Sequence, residues 1–176
     1  MQQTGLTTKP SAEKQHSSAA LAFNLHELQR IAEPQNDSAT GISCRQIECK
    51  LWAKISLSEQ RMYLYADGIL LDTLLVSTGI KKHETPLMER KPSGPMFQKY
   101  TSWKFPGGNY KGLGNMPYAV FIRGGYAIHG TTQGNIAKLG QRASHGCIRL
   151  HPEKAMVFFE MVKQAGLENT WISIQR

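Results

Sequence analysis

Between Leu51 and Thr78 apolar and polar residues alternate in three short runs, Leu51 to Leu57, Arg61 to Tyr65 and Leu70 to Thr78. A period of two sends successive side chains to opposite faces, so each run reads as a strand with one buried face. Asp67-Gly68 separates the second and third runs, and this dipeptide is a strong signal for a tight hairpin turn. The result is a β-meander, which can only be stable if the remaining chain packs against its apolar face.

Downstream, Ala119 to Ile122 and Tyr126 to Ile128 read as strands around Gly124-Gly125, and the second delivers His129 at its end. Lys81 to Gly114 is rich in Pro and Gly and carries Tyr100, Trp103, Phe105 and Tyr110. It reads as one long structured loop of the kind that forms lids or binding walls, although the same rings suit packing the loop onto the body. A short helical piece near Ile136 to Leu139 follows. Pro152 opens a helix whose apolar face is Met156, Phe159 and Val162, Gly166 stops it, and Trp171 to Ile174 closes as a strand. Residues 1 to about 17 are polar and read as a linker, whereas Leu21, Leu25 and Leu28 predict a short amphipathic helix from about Ser18 to Glu33, ending before Pro34. With 176 residues and 40% apolar content, one ordinary core is expected. The fold class is mainly β, with one substantial C-terminal helix and a short N-terminal one; an extension over 1–43 precedes a single domain over 44–176.

The formal charge of +8 is unevenly placed, for Arg90 to Pro152 contains nine basic residues and no acid, against twelve basic and thirteen acidic elsewhere. Such a field draws an anionic partner. The charges are spread singly, without a basic helix or an aromatic ribonucleoprotein-like motif, so nucleic acid is not the expected partner. No apolar run has the length of a membrane span. Met1 to Ser18 lacks the pattern of an export signal, which leaves either a signal already removed or a protein kept inside the cell. Cys44 and Cys49 are near neighbours and Cys147 stands apart. An oxidising compartment would produce that pattern by bridging the pair and leaving the third thiol free; two unrelated thiols are the alternative.

Ser144-His145-Gly146-Cys147-Ile148-Arg149-Leu150 is the segment richest in chemistry. A lone cysteine is more often an inert buried thiol, but here a glycine precedes it, His145 lies two positions before it and His129 eighteen before it. The glycine lets the backbone turn sharply and lets a carbonyl approach, and either imidazole can take the thiol proton. Zinc is the competing reading, because His129, His145, Cys147 and His151 are all competent ligands. It is disfavoured by the absence of Cys-x-x-Cys knuckles and of a Glu beside the first histidine. His16, His26 and His83 have no chemical company in the sequence and read as surface or loop residues.

Taken together, His129-Gly130-Thr131, a spacer and Ser144 to Arg149 resemble the signature of the L,D-transpeptidase (YkuD-type) catalytic domain of bacterial cell walls. Ile55 to Tyr65, Val76 to Gly79, His83 to Pro86 and Met116-Pro117-Tyr118 are similar to further elements of that family, so the likeness covers roughly residues 50 to 175. Leu87 to Pro95 departs from it, on the substrate side. The resemblance implies an L,D-transpeptidase-like β-sandwich or barrel, with Cys147 as nucleophile, His129 as proton acceptor and donor, and His145 in an orienting role. It implies that backbone N–H groups at Gly146 and Cys147 form the oxyanion site, and that Ser144, Arg149, Gly130 and Tyr118 support loop or substrate. With no acid nearby in sequence, a backbone carbonyl is the expected orienter of His129. The implied activity is transfer of a tetrapeptide stem through a thioester, without metal or cofactor. The implied partners are peptidoglycan stem peptides and carbapenem-type inhibitors, and the implied location is the periplasm or cell envelope. Trimming by an L,D-carboxypeptidase and binding by a catalytically idle wall module are the alternatives.

Overall fold

The computed structural model describes residues 44–176, so the helix expected over 18–33 lies outside the described residues. The meander is present as β1 (Leu51–Ser56), β2 (Arg61–Ala66) and β3 (Ile69–Leu75), antiparallel in sequence order. Asp67 and Gly68 take the positive φ values of 47° and 77° that the hairpin requires. Leu51, Ala53 and Ile55 are buried with Met62, Leu64 and Ala66, the faces that the alternation predicts.

Two short strands arise inside the region read as a single loop, β4 (Met88–Arg90) and β5 (Met96–Phe97). Strands of this length carry too few residues to show a period. What selects β4 is its neighbour: it runs antiparallel to β9 (Thr170–Gln175), with Met88 opposite Ile174 and Arg90 opposite Ile172, and so occupies an edge that would otherwise present unpaired backbone groups. β9 in turn runs parallel to β1, with Ile172 beside Ala53 and Ile174 beside Ile55, giving the sheet order β3-β2-β1-β9-β4. The Leu87 to Pro95 departure therefore contains a three-residue edge strand, followed by irregular chain over 91–95.

The second sheet has the order β5-β6-β7-β8, with β6 (Ala119–Arg123), β7 (Tyr126–Gly130) and β8 (Ile148–Leu150). Immediately after β8, α1 (Pro152–Ala165) begins with Pro at its first turn and His151 as cap, whose Nδ1 accepts from the Glu153 N–H, and it ends at Gly166 with φ 85°. The buried face of α1 is Ala155, Phe158, Phe159, Met161, Val162 and Ala165, whereas Met156, expected on it, is 41% exposed. These side chains join Leu51, Ile55, Met62 and Ile172 of the first sheet and Val120, Ile122, Ile128 and Ile148 of the second in one core. Among the described residues no helix is long and apolar enough to cross a membrane.

Cys44 and Cys49 are joined by a disulfide around a single 3-10 turn, Gln46–Glu48, and Cys147 is free. Thiol titration of denatured protein should therefore find one reactive group before reduction and all three after it. Three groups before reduction would show that the bridge had not formed.

Candidate active site

β7 and β8 are parallel, with Ile128 opposite Ile148 and His129 opposite Arg149. Ile128 and Ile148 are fully buried in the core. The two-residue period then places His129, Cys147 and Arg149 on the other face, where all three line an open cleft of about 940 Å³. Continued by one residue, the register sets Cys147 level with Ala127, so the thiol and the His129 ring are diagonal neighbours across the ladder.

The turn around Cys147 is held by hydrogen bonds from its own sequence and from residues 77–85. Ser144, fully buried, donates through Oγ to the Cys147 carbonyl at 2.6 Å and accepts from the Gly146 N–H at 3.1 Å. The Ser144 carbonyl accepts from the Ile80 N–H, and the Ala143 and Ser144 N–H groups both donate to the Thr78 carbonyl. Thr85 Oγ1 donates to the Gly146 carbonyl at 2.8 Å and accepts from the Gly79 N–H at 2.9 Å. Gly146 sits at φ 112°, and a Cβ there would lie 3.0 Å from the Tyr126 ring, so both conformation and space call for glycine.

His129 is 3% exposed. Its Nδ1 lies 2.8 Å from the Gly130 carbonyl, which can only accept, so the proton is on Nδ1 and Nε2 carries the free lone pair. The orienter is thus a backbone carbonyl, as the acid-free sequence suggested. Burial pushes the His129 pKa down to about 4, with the Gly130 hydrogen bond opposing and the Arg149 charge reinforcing the shift. Burial also raises the Cys147 thiol, against a backbone hydrogen bond from Ala127 and the attraction of Arg149. The sulfur lies 3.5 Å from the Gly125 carbonyl. At neutral pH the resting pair is therefore a thiol and a neutral imidazole.

Other residues divide into those the fold brings to the cleft and those it does not. Arg149 is half-buried and donates through Nη1 to the Ala143 carbonyl at 2.9 Å. His145 is exposed and stacks on Phe105 with ring centroids 4.1 Å apart, which places it on the cleft wall. Burial is the first cause lowering its pKa, followed by the charges of Arg149 and His83. Tyr118 does not reach the cleft: its ring packs edge-on against Phe159 of α1, 6.0 Å away. Gly130 acts through its backbone, and a Cβ there would meet Pro117 at 2.9 Å and Pro152 at 3.0 Å. The Gly146 N–H, expected to help form an oxyanion site, is instead engaged by Ser144. His151 caps α1 rather than joining the other candidate ligands. Among the described residues no three His, Cys, Asp or Glu side chains gather as a metal-holding group.

His83, read from the sequence as a surface residue, belongs to the site. Its ring stands edge-on to His145 at 5.3 Å and to Phe105 at 6.0 Å. It lies 62 positions before His145, beyond any local pattern; the available signal was its place in the His83 to Pro86 segment, which resembles a family element. Tyr100, Trp103, Phe121 and Tyr126 extend the aromatic wall, with Lys82, Lys104 and Lys138 around it. Glu84 is the one acid among the described residues lining the cleft.

The two-sheet fold places the domain among L,D-transpeptidase structures. L,D-transpeptidase 3 from Mycobacterium tuberculosis, solved with a faropenem-derived adduct, superposes with a TM-score of 0.59 at 19% identity, over 73% of this chain and 61% of that one. The L,D-transpeptidase (Yku) from Stackebrandtia nassauensis gives 0.55 at 20% identity, over 83% of this chain and 62% of that one. The chain belongs to the YkuD L,D-transpeptidase catalytic domain family, whose sequence profile matches residues 50–174. It is 33% identical over 129 residues to the probable L,D-transpeptidase YbiS of Escherichia coli K12, and 30% identical over 127 residues to the probable L,D-transpeptidase ErfK/SrfK of Salmonella typhimurium. In each case the match takes in 61% of this chain and 40% of the relative.

Two measurements check the electrostatics. An imidazole that titrates near pH 4 when folded and near 6.5 when unfolded leaves stability complete above pH 6.5, and lowers it on the order of 3 kcal/mol as pH falls through that window. Urea unfolding at pH 7 and pH 4 should show this loss in the wild type and lack this part of it in His129→Ala; equal losses would mean that the ring titrates normally. Alkylation of Cys147 by iodoacetamide, followed by mass, should rise by about tenfold per pH unit from pH 6 to beyond the ordinary thiol range. A plateau below pH 7 would reveal a thiolate–imidazolium pair instead.

Proposed function

We propose that this domain is a peptidoglycan L,D-transpeptidase acting in the cell envelope through a thioester on Cys147. The observation that carries the reading is the placement of one free thiol and one buried imidazole, with Nε2 unprotonated, diagonally across a parallel ladder at the floor of a cleft. Family membership supports a stem peptide ending in D-Ala as the substrate class.

In the first half-reaction the Cys147 sulfur attacks the carbonyl of the diamino acid residue that precedes D-Ala. The thiol proton passes to His129 Nε2 as the S–C bond forms, and from there to the departing D-Ala nitrogen as the C–N bond breaks. A neutral pair suits this sequence, because a proton accepted only as the bond forms does not require a standing thiolate. With the Gly146 N–H held by Ser144, the Cys147 N–H is the one of the two expected amides that is left to face the developing oxyanion. In the second half-reaction the amine of another stem attacks the thioester, His129 takes its proton, and the sulfur leaves as thiol. The thioester conserves the energy of the broken peptide bond, so the chemistry needs neither nucleotide nor metal.

Incubation with purified tetrapeptide stems should give an acyl-enzyme and a cross-linked dimer by mass spectrometry, both absent from a folded Cys147→Ala protein. His129→Ala should cost about 10²-fold or more in rate, as loss of a general base does, and His145→Ala less than about 10-fold. Equal losses would move the proton-transfer role to His145. Trimmed tripeptide without dimer would make water the acceptor and the domain an L,D-carboxypeptidase. Since LdtMt1 has been solved in complex with imipenem, a carbapenem is the matching inhibitor probe: Cys147 should gain one carbapenem mass, and a folded protein with a free thiol that gains none would favour an idle binding module.

A further inference from the structure

Because β7 and β8 run parallel, the cleft has a direction. Tyr126 begins β7 on the near side of the thiol, with Phe121 opposite Ala127 and Tyr100 edge-on to Phe121 at 5.2 Å, so that end is aromatic. Past the thiol in the strand direction come Arg149, two residues beyond Cys147, and Thr131, two residues beyond His129 on the same face. Both line the cleft.

Each of these two side chains has unused hydrogen-bonding capacity. Thr131 is 1% exposed, and its Oγ1 is buried without a hydrogen-bond partner. A buried hydroxyl left unbonded costs stability, which makes it a sign of a group that arrives from outside. Arg149 carries five N–H donors, of which Nη1 is engaged by the Ala143 carbonyl. Among the described residues no carboxylate bonds to or pairs with it. A half-buried guanidinium without an acidic partner, in a stretch of chain without acids, is matched to an anion brought by a ligand.

The spacing identifies the anion. Arg149 lies in β8 and Cys147 immediately precedes that strand, two positions away, a spacing of at most about 7 Å. In the acyl donor, the free carboxylate of the terminal D-amino acid is joined to the attacked carbonyl only through its nitrogen and α-carbon. With that carbonyl on the sulfur, a leaving group pointing along the strands sets its carboxylate beside the guanidinium. We propose that Arg149, assisted by the Thr131 hydroxyl, receives the carboxylate of the D-amino acid to be displaced, so that the domain selects donors ending in a free acid. This rests on the acyl-transfer reading for the identity of the ligand, and it assigns the acyl chain to the aromatic end.

Stems ending in D-Ala as the free acid and as the primary amide distinguish the possibilities. Thioester formation is measured with the wild type, and affinity by calorimetry with Cys147→Ala, in which no bond is made. The acid should be favoured by about tenfold or more in both, the size expected of a charge-assisted hydrogen-bond pair. Adding Arg149→Gln should bring the acid down to the amide and leave the amide within about twofold, while Thr131→Val should narrow the preference part-way. Equal affinity for acid and amide in Cys147→Ala overturns the proposal, as does a preference that survives Arg149→Gln, since a residue that only braces the turn would weaken both ligands alike. Should Arg149→Gln fail to fold, the acid-to-amide ratio in Cys147→Ala with and without Thr131→Val decides. Preference for the acid in binding without thioester in the wild type would sink the acyl-transfer reading and leave the carboxylate site standing.

Discussion

The parallel ladder between β7 and β8 is the constraint on which the site depends. His129 and Cys147 are separated by a loop and a 3-10 turn, Gln133–Lys138, and nothing local holds them together. Pairing Ile128 with Ile148 in the core sets the register, and the two-residue period then presents the imidazole, the thiol and the guanidinium to the cleft. A slip of one residue would bury the thiol and turn Ile148 into the cleft, so core packing and the arrangement of the cleft side chains are set by the same contacts.

Support for the turn around Cys147 comes from far away in sequence. Residues 77–85 grip it through the Ser77 and Arg149 backbones, the Thr78 carbonyl and the Thr85 hydroxyl. Gln60 continues the chain of contacts, donating to Thr78 Oγ1 at 2.7 Å and accepting from the Thr78 N–H at 2.9 Å, so the β1–β2 turn and the turn around Cys147 share one buried polar network. Such networks rigidify when every member is satisfied. This one holds a backbone with a glycine at positive φ immediately before Cys147.

Alternation at Leu51 to Thr78, the Asp67-Gly68 turn, and the Pro152 and Gly166 limits of α1 were legible because each is a local choice with a local cause. β4 and β5 were not, since pairing with a distant strand rather than propensity makes them strands. On the helix, Met156 followed the helical period but faces away from the core, one position off the stripe formed by Ala155, Phe158, Phe159 and Val162. In the site, the motif spacing pointed to Cys147 and His129, and the acid-free stretch to a carbonyl partner for the imidazole. Tyr118 and His83 exchanged places relative to expectation: the tyrosine packs on α1, and the histidine reaches the cleft wall through a fold-level return of the chain.

The position of β9 bears on when the domain can fold. Residues 170–175 lie in the middle of the first sheet, between β1 and β4, with Ile172 and Ile174 deep in the core. Until they are synthesised, the meander has one open flank and β4 has nothing to pair with. A chain synthesised only as far as residue 169 therefore cannot complete this sheet, and β1 and β4 are joined only once residues 170–175 are available.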